Sequence, residues 1–433
     1  MPYKPVHVIE VRAWGQRVGA VAMDSVAGCY AFQYADTWIQ HGVELAPLTM
    51  PRRHEPYIFP QLSKDTYRGL PPLLADALPD DFGNALINAS LAQQGISPAQ
   101  ITALDRLAYM GDRSMGCLVF KPARGPQGSR AQSTAIQLAS LVLGVRAALS
   151  GCFDGDRETE AAIMNLLQVG TSAGGARAKA IIAYNPMTKE IRSGHATLAE
   201  GFEHWLLKLD GVGKDKELGQ GRDYGKIEYA YSMMAKAAGI QMSDCFLLKE
   251  NGRNHFMTKR FDRADHGIRH HISSLCSMAE LDYRQKATHD YSQYFMAINR
   301  LGLGPDEREE AFRRVVFNIF AQNNDDHTKN LSFLLRQGSK AWELAPAYDL
   351  IYAYNPKGEW TYQHLMSVNG KFSSITQSDL LTLADRFLVP QAKDIIRGVA
   401  DAVSAWPDFG KKAGVAESRV KKIQLGLEMR ILK

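Results

Sequence analysis

Near the start of the chain, apolar and polar side chains alternate with the period of a half-buried β-strand. The runs HVIEVRAW and RVGAVAMD are rich in valine and are separated by the turn-forming pair Gly-Gln, so they predict a β-hairpin. Further on, ITALDRLAYMGDRSMGCLVF passes from a helical period through Gly111 into a strand that ends at Phe120. The segment PARGPQGSRAQST then mixes Pro, Gly and Ser without an apolar period, which is typical of a linker. The pattern predicts a small α+β domain over residues 1–124.

The next part of the chain is rich in strand patterns. A helical pattern, TAIQLASLVLGVRAAL, leads to the Gly-rich segment VGTSAGGARAK, which runs directly into the apolar strand AIIAY. Further strand candidates are HWLLKLDG, CFLLKEN and HFMTKRFD, with a helix, YGKIEYAYSMMAKAAGI, between the first two. These elements predict a strand-rich lobe over residues 125–262.

Helical patterns dominate the remaining residues, 263–433. In EREEAFRRVVFNIFAQN, five apolar residues have the i, i+3, i+4, i+7, i+8 spacing of one buried helix face. They are Phe312, Val315, Val316, Ile319 and Phe320. The helix runs into the polar cluster NNDDHTKN, after which LSFLL and AWELA flank RQGSK as a hairpin. The whole pattern predicts an α+β protein with a largely helical C-terminal lobe.

Composition narrows the class of protein. Hydrophobic residues make up 45% of the chain and charged residues 22%, which is ordinary for a globular protein. Lys and Arg outnumber Asp and Glu by 51 to 46, a balance too even for a protein that coats nucleic acid. The five cysteines are scattered without a CxxC pair, which disfavours a disulfide framework and a zinc ribbon. No apolar run has the length of a signal peptide or of a membrane span, so we expect a cytoplasmic protein without a membrane partner.

The polar cluster NNDDHTKN carries the strongest candidate chemistry. Four residues separate Asp325 from Asn330, and Asp349 follows after the predicted hairpin. Kinase catalytic lobes use this order: an Asp that takes the hydroxyl proton, an Asn for one Mg²⁺ ion, and a second metal-binding Asp. Oxygen ligands of this kind are those that Mg²⁺ prefers. A solvated turn after a helix has a similar composition, so the cluster alone leaves both interpretations open.

Two upstream features would add phosphate contacts. In the Gly-rich segment that begins at Thr171, backbone amides could approach phosphate oxygens, with positive charge from Arg177 and Lys179. It is neither a Walker A motif nor GxGxxG, and an ordinary hairpin turn is the alternative. Lys208 lies in an apolar strand, where a kinase lysine would hold nucleotide phosphates, and Glu228 on the next helix is a plausible partner. The alternative for Lys208 is a surface lysine with a buried stem.

A second candidate function is that of a metal-dependent hydrolase. His270 and His271, with Asp325, Asp326 and His327, supply the residue types that such a site needs. Adjacent histidines on an extended segment point to opposite faces, however, so they cannot both ligate one metal easily. The hydrolase would also leave the strand lysine and the Gly-rich loop without a role.

Together the motifs resemble those of the HipA-type toxin kinases, the serine/threonine kinases of bacterial HipBA toxin–antitoxin modules. The resemblance covers nearly the whole chain, and its motifs occur in the order that the family has. They are LPDDFGNAL, LDRLAYMGDRSMGCLVF, SAGGARAKA, WLLKLDG, KIEYAYSMMAKAAGI, TKRFDR, NNDDHTKNLSF and APAYDLI. The resemblance implies a small N-terminal α+β domain followed by a two-lobed, protein-kinase-like fold.

The resemblance implies roles for matched positions. Asp325 resembles the catalytic base, Asn330 and Asp349 the Mg²⁺ ligands, and Ser172, next to Thr171, the serine that the family autophosphorylates. The positions that would bind ATP are Gly174, Gly175, Ala176, Arg177, Ala178, Lys179, Lys208, Lys259, Arg260, Phe261, His327, Thr328, Lys329, Asn330, Tyr348 and Asp349. The chain departs from the family at AGGARAK, which replaces an AGAQEK type of loop. It departs again at ISSLCSMAELDYR, which replaces an acidic EDF pattern, so substrate contacts there are not carried over.

The implied function is ATP- and Mg²⁺-dependent phosphorylation of a protein serine by the toxin of a toxin–antitoxin pair. The family's substrates are aminoacyl-tRNA synthetases, and its partner is a helix-turn-helix antitoxin of the HipB type, through which it contacts operator DNA. A catalytically idle co-repressor that acts with such an antitoxin is the alternative. The presence of all the apparent catalytic residues argues against it.

Overall fold

The computed structural model of the chain describes residues 3–92, 95–124, 178–194, 198–211 and 223–431. The predicted helix TAIQLASLVLGVRAAL lies outside these residues. The chain folds as two compact units, each built from three segments. The first unit consists of Met1–Gly213, Lys259–Ser273 and Leu334–Ala341, and the second of Lys214–Thr258, Ser274–Phe333 and Trp342–Lys433.

A four-stranded antiparallel sheet opens the first unit, in the order β3-β2-β1-β4. Its strands are β1 (Val8–Ala13), β2 (Gln16–Asp24), β3 (Cys29–Tyr34) and β4 (Leu118–Lys121). The predicted hairpin is confirmed, but its turn is Trp14-Gly15 instead of Gly-Gln. Both residues have positive φ, 50° and 78°, which is the two-residue turn geometry that matches the twist of paired strands.

Short helices accompany this sheet. They are α1 (Asp36–His41), α2 (Lys64–Tyr67), α3 (Pro72–Ala75), α4 (Asp81–Ala92) and α5 (Ala103–Met110), with 3₁₀ turns at Pro98–Gln100 and Asp265–Gly267. A reciprocal cap starts α5, because Asp105 N–H donates to Thr102 Oγ1 (3.1 Å) and Thr102 N–H donates to Asp105 Oδ2 (2.9 Å). Gly111, with a φ of 57°, ends the helix before β4. The predicted passage from helix to strand is confirmed.

A second antiparallel group of strands in the first unit confirms the strands predicted from AIIAY and HWLLKLDG. It comprises β5 (Lys179–Tyr184), β6 (Ile191–Ser193) and β7 (Glu203–Lys208). β5 pairs with both of the others and is buried along all of its length. Burial on both faces explains why its sequence is a continuous apolar run.

Most of the helices in the described residues belong to the second unit. They are α6 (Tyr224–Ala237), α7 (Leu275–Met278), α8 (Tyr291–Arg300), α9 (Pro305–Phe320), α10 (Gln377–Arg386), α11 (Ala392–Ser404), α12 (Trp406–Lys412) and α13 (Glu417–Ile431), with a 3₁₀ turn at Thr328–Asn330. The other described strands are β8 (Cys245–Glu250), β9 (Arg253–Lys259), β10 (His271–Ser274), β11 (His289–Asp290), β12 (Ser332–Leu335), β13 (Trp342–Leu344) and β14 (Met366–Ser367). Of these, the last residue of β9, the first three of β10 and the last two of β12 belong to the first unit. β8 and β9 form a hairpin, and β9 ends three residues before the end of the predicted strand HFMTKRFD. None of the helices in the described part of the chain is long and apolar enough to span a membrane.

Helix α9 forms the centre of the second unit. The five residues of its predicted buried face are confirmed, since none is more than 5% exposed. Phe317, on another side of the helix, is also fully buried, and its ring meets that of Tyr231 edge to face at 6.1 Å. Tyr231 in turn contacts Trp406, with ring centroids 5.3 Å apart. α9 is therefore covered on several sides, and it gives the polar cluster that follows a rigid base.

Candidate active site

The loop after α9, residues 321–327, contains several buried polar residues and one half-exposed carboxylate. Asn323 and Asn324 are buried, whereas 48% of the Asp325 side chain is exposed. The Asn330 side-chain amide Nδ2 donates to the Asp325 backbone carbonyl at 2.7 Å, which closes the loop onto the 3₁₀ turn. Asp325 is thus the acid of this loop that a substrate could reach.

Asp326, the adjacent acid, is fully buried and bonded to three donors. Its Oδ1 accepts from Leu365 N–H (2.7 Å), and its Oδ2 accepts from the Tyr291 hydroxyl (2.8 Å) and lies 2.9 Å from His364 Nδ1. Tyr291 also accepts from Asn318 Nδ2 at 2.9 Å. Burial first, and then the charge of Asp326, raise the pKa of Tyr291, so its hydroxyl remains a donor at neutral pH. Asp326 therefore anchors the loop.

Two further hydrogen bonds attach the loop to its surroundings within the second unit. Asn324 Nδ2 donates to the Thr361 carbonyl at 3.1 Å, and Thr328 Oγ1 donates to the Leu281 carbonyl at 2.7 Å. The two acceptors lie in different segments of the chain, so the loop and the turn after it are held by two separate contacts. Sequence reasoning missed these anchors, because nothing local in the sequence identifies their partners.

Tyr348 and Asp349 lie in a later segment that contacts the turn after the loop. The Tyr348 hydroxyl donates to the Lys329 carbonyl at 2.7 Å and accepts from Ser332 Oγ. Asp349 has a φ of 54°, the left-handed region that Asp tolerates better than most residues. The hydrogen bond from Tyr348 to the Lys329 carbonyl places this segment against the 3₁₀ turn that carries Asn330.

The oxygen donors of Asn330 and Asp349 are of the type that Mg²⁺ prefers. The Asn330 amide nitrogen is committed to the Asp325 carbonyl, so the amide oxygen is the atom left to act as a ligand. Asp349 supplies a carboxylate and is only partly buried. The two residues therefore fit a Mg²⁺ ion that would neutralise phosphate charge.

His327 lies beside the candidate base. Its Nε2 is 3.9 Å from Asp325 Oδ1, and its ring packs against Tyr283 with centroids 5.3 Å apart. The histidine side chain is 12% exposed, and among the residues that the structure describes its Nδ1 has no hydrogen-bond partner. His327 thus contacts both the acid and the segment around Tyr283.

The adjacent histidines of the hydrolase interpretation have structural contacts in the first unit. His271 Nε2 lies 2.9 Å from the Leu45 carbonyl, and Gln337 N–H donates to His270 Nδ1 at 3.2 Å. Burial lowers the pKa of His271 to about 4, so it is neutral at pH 7. Among the described residues there is no cluster of three or more His, Cys, Asp or Glu that could hold a metal.

Lys179 and Lys208 face each other on β5 and β7 of the first unit. They are directly paired in the antiparallel register and are only 4% and 8% exposed. Directly opposed residues project from the same face of a sheet, so two positive charges share one buried environment. The alternative of a surface lysine does not fit Lys208, because the residue is buried.

The segment Lys259–Phe261, which the resemblance assigns to the nucleotide site, begins where β9 ends. Lys259 Nζ is 2.6 Å from Glu203 Oε1, and the lysine side chain is 41% exposed. Arg260 is buried, and its guanidinium makes a bidentate pair with Asp262 through Nε (2.8 Å) and Nη2 (2.6 Å). Phe261 is partly buried. The Arg260 side chain is therefore paired with Asp262 and does not project from the segment.

Asp262 is a buried junction that sequence reasoning missed. It accepts a hydrogen bond from Gly116 N–H at 2.8 Å, and Arg263 pairs with it as well. Burial alone would raise the pKa of this carboxyl, but the charges of Arg260 and Arg263 outweigh burial and hold it well below its usual range. Arg269 Nη2 donates to the Gly116 carbonyl at 3.0 Å. These contacts bind the loop before β4 to the residues that follow β9.

The remaining predicted residues of the phosphate loop lie outside the described residues. These are Ser172 and Gly174 to Arg177, while Ala178 is described and buried. The Ala178 carbonyl accepts from Leu209 N–H at 3.0 Å, which extends the pairing of β5 with β7.

Comparisons with known proteins identify the family. The HipA N-terminal domain matches residues 9–121, and the HipA-like C-terminal domain matches residues 171–406, more than half of the chain. The chain therefore belongs to the HipA family, as its motifs predicted. No curated protein sequence matches it significantly.

A solved structure shows the same fold. The chain is similar to a structure described as the Shewanella oneidensis MR-1 toxin–antitoxin system HipA, HipB and its operator DNA complex, with a TM-score of 0.69 and 18% identity. The match covers 98% of this chain and 96% of that chain, which confirms the predicted HipA-like α+β fold. Helicobacter pylori proinflammatory kinase CtkA matches with a TM-score of 0.38, 15% identity and coverage of 60% and 90%, which is too low to carry an argument.

Proposed function

We propose that the protein is an ATP- and Mg²⁺-dependent serine/threonine kinase and the toxin of a type II toxin–antitoxin pair. The observation that carries the proposal is the contrast between Asp325, half exposed, and Asp326, buried and fully bonded, on one anchored loop. Only a carboxylate that a substrate can reach is able to accept its proton. The order of Asp325, Asn330 and Asp349 and membership of the HipA family support the same function.

In the proposed reaction, the acceptor serine hydroxyl attacks the γ-phosphorus of ATP, and its proton passes to Asp325. The bond between the γ-phosphorus and the β,γ-bridging oxygen breaks, and ADP leaves. Asn330 and Asp349 would hold Mg²⁺, which neutralises charge on the phosphate oxygens. Lys179 and Lys208 would contribute positive charge to the phosphates, and the other predicted ATP positions would complete the site.

Ser172 is proposed as an autophosphorylation site that inactivates the kinase. A phosphoserine carries about −1.5 to −2 charges at pH 7, which would compete with ATP phosphates for the amides of the Gly-rich loop. Mass spectrometry should find phosphate on Ser172, and not on Thr171, in protein expressed with an intact Asp325. Absence of that phosphate would contradict the self-inactivation and leave the kinase proposal standing.

The proposed partner is a helix-turn-helix antitoxin of the HipB type, with operator DNA contacted mainly through it. The similar Shewanella structure contains HipA, HipB and operator DNA, which supports this assignment. The proposed substrate is a translation protein such as an aminoacyl-tRNA synthetase. The proposed domains are 1–124, 125–262 and 263–433.

The test is transfer of labelled γ-phosphate from ATP to the protein itself and to candidate substrates. Wild type should transfer phosphate only with Mg²⁺, and Asp325→Asn should lose at least about a hundredfold in rate, because general base catalysis contributes that much or more. Asp394→Asn is the matched control, since Asp394 is 66% exposed on α11 and pairs with Arg397, which is exposed as well. Transfer by Asp325→Asn at the wild-type rate would refute the assignment. A complete lack of transfer by wild type would favour the idle co-repressor.

A further inference from the structure

The turn that ends α9 and begins the loop 321–327 has a glutamine at its left-handed position. Asn323 N–H donates to the Asn318 carbonyl at 3.0 Å. This bond closes a common C-terminal motif of helices, in which the enclosed left-handed residue is usually glycine. Gln322 takes that conformation here, with a φ of 50°. A residue that has a Cβ adopts it only at a cost in free energy.

Gln322 is buried, and its side chain reaches the C-terminal helix. It is 2% exposed, and its Nε2 donates to the Gly426 carbonyl on α13 at 3.1 Å. The inner face of α13 is packed into the second unit, since Ile423 and Leu427 are both buried. The start of the loop is therefore attached to a helix that the core holds in place.

Gly426 leaves room for this contact. A Cβ built on Gly426 would lie 3.0 Å from Gln322 Oε1 and 3.1 Å from the Tyr352 hydroxyl oxygen, both of which are closer than side chains normally pack. Glycine in the middle of a helix is itself destabilising. The contact thus joins two residues that are each unfavourable in their own element.

The backbone of Gln322 also holds the segment that follows Asp349. Its carbonyl accepts a hydrogen bond from Ala353 N–H at 3.0 Å. Asp325 lies three residues after Gln322, and Asp349 lies four residues before Ala353. One residue is therefore bonded close to the proposed base and close to the proposed Mg²⁺ ligand.

The turn by itself does not require a glutamine. Glycine would adopt the same backbone freely and would still offer its carbonyl to Ala353. Costly backbone conformations persist where the surrounding structure holds them, and they are concentrated at functional sites. What the glutamine side chain adds is the attachment of the loop to α13.

We propose that Gln322 is a positioning residue for phosphate transfer, which holds Asp325 in place through its contact with α13. This inference rests on the proposed function, since Asp325 needs a fixed direction only if it accepts a proton. A small displacement of a catalytic group lowers the rate of the chemical step. Loss of the contact should therefore slow transfer and leave ATP binding nearly unchanged.

Two substitutions of Gln322 test the contact from the loop. Gln322→Gly removes the side chain in a backbone that glycine accepts, and Gln322→Met keeps a side chain of similar length without the donor. The measurement is the initial rate of labelled γ-phosphate transfer from ATP to the protein itself, at several ATP concentrations. Both variants should lose at least about tenfold in maximal rate, while the half-saturating ATP concentration stays within about twofold of wild type. Circular dichroism checks that both are folded at the assay temperature.

Gly426→Ala tests the same contact from α13. Alanine is favoured over glycine in a helix, so the helix gains stability, but the added methyl group should displace the glutamine and slow transfer. Gly398→Ala is the matched control, because Gly398 is exposed on α11 and an added Cβ there would meet no atom of the described chain within 4 Å. It should transfer phosphate at the wild-type rate. In Gln322→Gly there is no glutamine to displace, so adding Gly426→Ala should cause little further loss.

Hydrogen exchange followed by mass spectrometry measures the order of the loop without any phosphate transfer. Amides of residues 321–327 should exchange faster in Gln322→Met and in Gly426→Ala than in wild type. In Gly398→Ala they should exchange at the wild-type rate.

Four results would overturn the inference. They are wild-type rates in both Gln322 variants, equal effects of Gly426→Ala and Gly398→Ala, unchanged exchange of the loop in variants that transfer slowly, and a raised half-saturating ATP concentration at an unchanged maximal rate. The last would assign Gln322 to ATP binding. Failure of the kinase proposal is a separate result, because it would appear as absence of transfer by the wild type.

Discussion

Neutralising Asp325 and Asp326 one at a time should separate catalysis from stability. The two acids are adjacent in sequence, yet one side chain is 48% exposed and the other is fully buried. Asp325→Asn should leave the fold intact and remove the proton acceptor. Asp326→Asn should unfold the second unit at a lower denaturant concentration.

The magnitude for Asp326→Asn follows from its three partners. Leu365 N–H donates to Oδ1, while the Tyr291 hydroxyl donates to Oδ2 and His364 Nδ1 lies within hydrogen-bond distance of it. Hydrogen bonds to a charged group contribute roughly 1.5–3 kcal/mol each. The asparagine amide retains one oxygen, so either one or two partners lose their acceptor and face a donor. We expect a loss of about 3 kcal/mol, against roughly 5–15 kcal/mol for a whole domain. The cost for Asp325→Asn should stay within about 0.5 kcal/mol, as for most exposed substitutions.

The assay is urea unfolding followed by circular dichroism, with phosphate transfer measured on the same preparations. The midpoint of Asp325→Asn should match that of Asp394→Asn, whose side chain is 66% exposed, and the midpoint of Asp326→Asn should be clearly lower. Equal midpoints for the two loop variants would refute the reasoning from burial and hydrogen bonds. Full activity in a folded Asp325→Asn, with none in a folded Asp326→Asn, would exchange the roles of the two acids.

Three further predictions concern the first unit. Asp262→Asn should destabilise the protein by about 3–5 kcal/mol in urea unfolding, because it leaves two buried arginines without a countercharge; an effect as small as that of Asp394→Asn would contradict this. Burial lowers the pKa of His271 to about 4 in the folded protein, against about 6.5 when unfolded. Its contribution to the free energy of unfolding should therefore be complete above pH 6.5 and be lost as the pH falls towards 4, by about 3 kcal/mol in all. His271→Gln should flatten that part of the stability profile, and an unchanged slope would assign it to other groups. Lys208→Ala should weaken ATP binding at least about tenfold in calorimetry, whereas unchanged affinity would remove this buried lysine from the nucleotide site.

The parts of the fold that local period specifies could be predicted from the sequence. The β1–β2 hairpin and the buried face of α9 both follow from apolar spacing, since alternation fits a half-buried strand and the 3.6-residue period fits a helix. The same reasoning missed the burial of Phe317, because a helix packed on several sides has no single stripe. It also extended β9 too far, through Arg260 to Asp262, which instead form an ion pair.

Candidate chemistry was predictable where the residues lie close together in sequence. The spacing of Asp325 and Asn330 is readable in the sequence, and the structure joins them by a hydrogen bond. The contact between Asp262 and Gly116 was not predictable, because the two residues are 146 positions apart. A contact of that kind depends on tertiary packing, and no local pattern encodes it.

The loop itself shows why adjacent acids take opposite roles. Residues 323–327 belong to no helix or strand, and the backbone is extended at His327. Side chains of successive residues in extended chain point to opposite sides, so when one of two neighbours faces the core the other faces out. Asp326 and Thr328 are buried, while Asp325 and His327 are less so. The pair of acids therefore gives the loop one group that fixes its position and one that remains accessible. Because the inward acid holds the backbone on both sides of it, the outward acid keeps a defined direction.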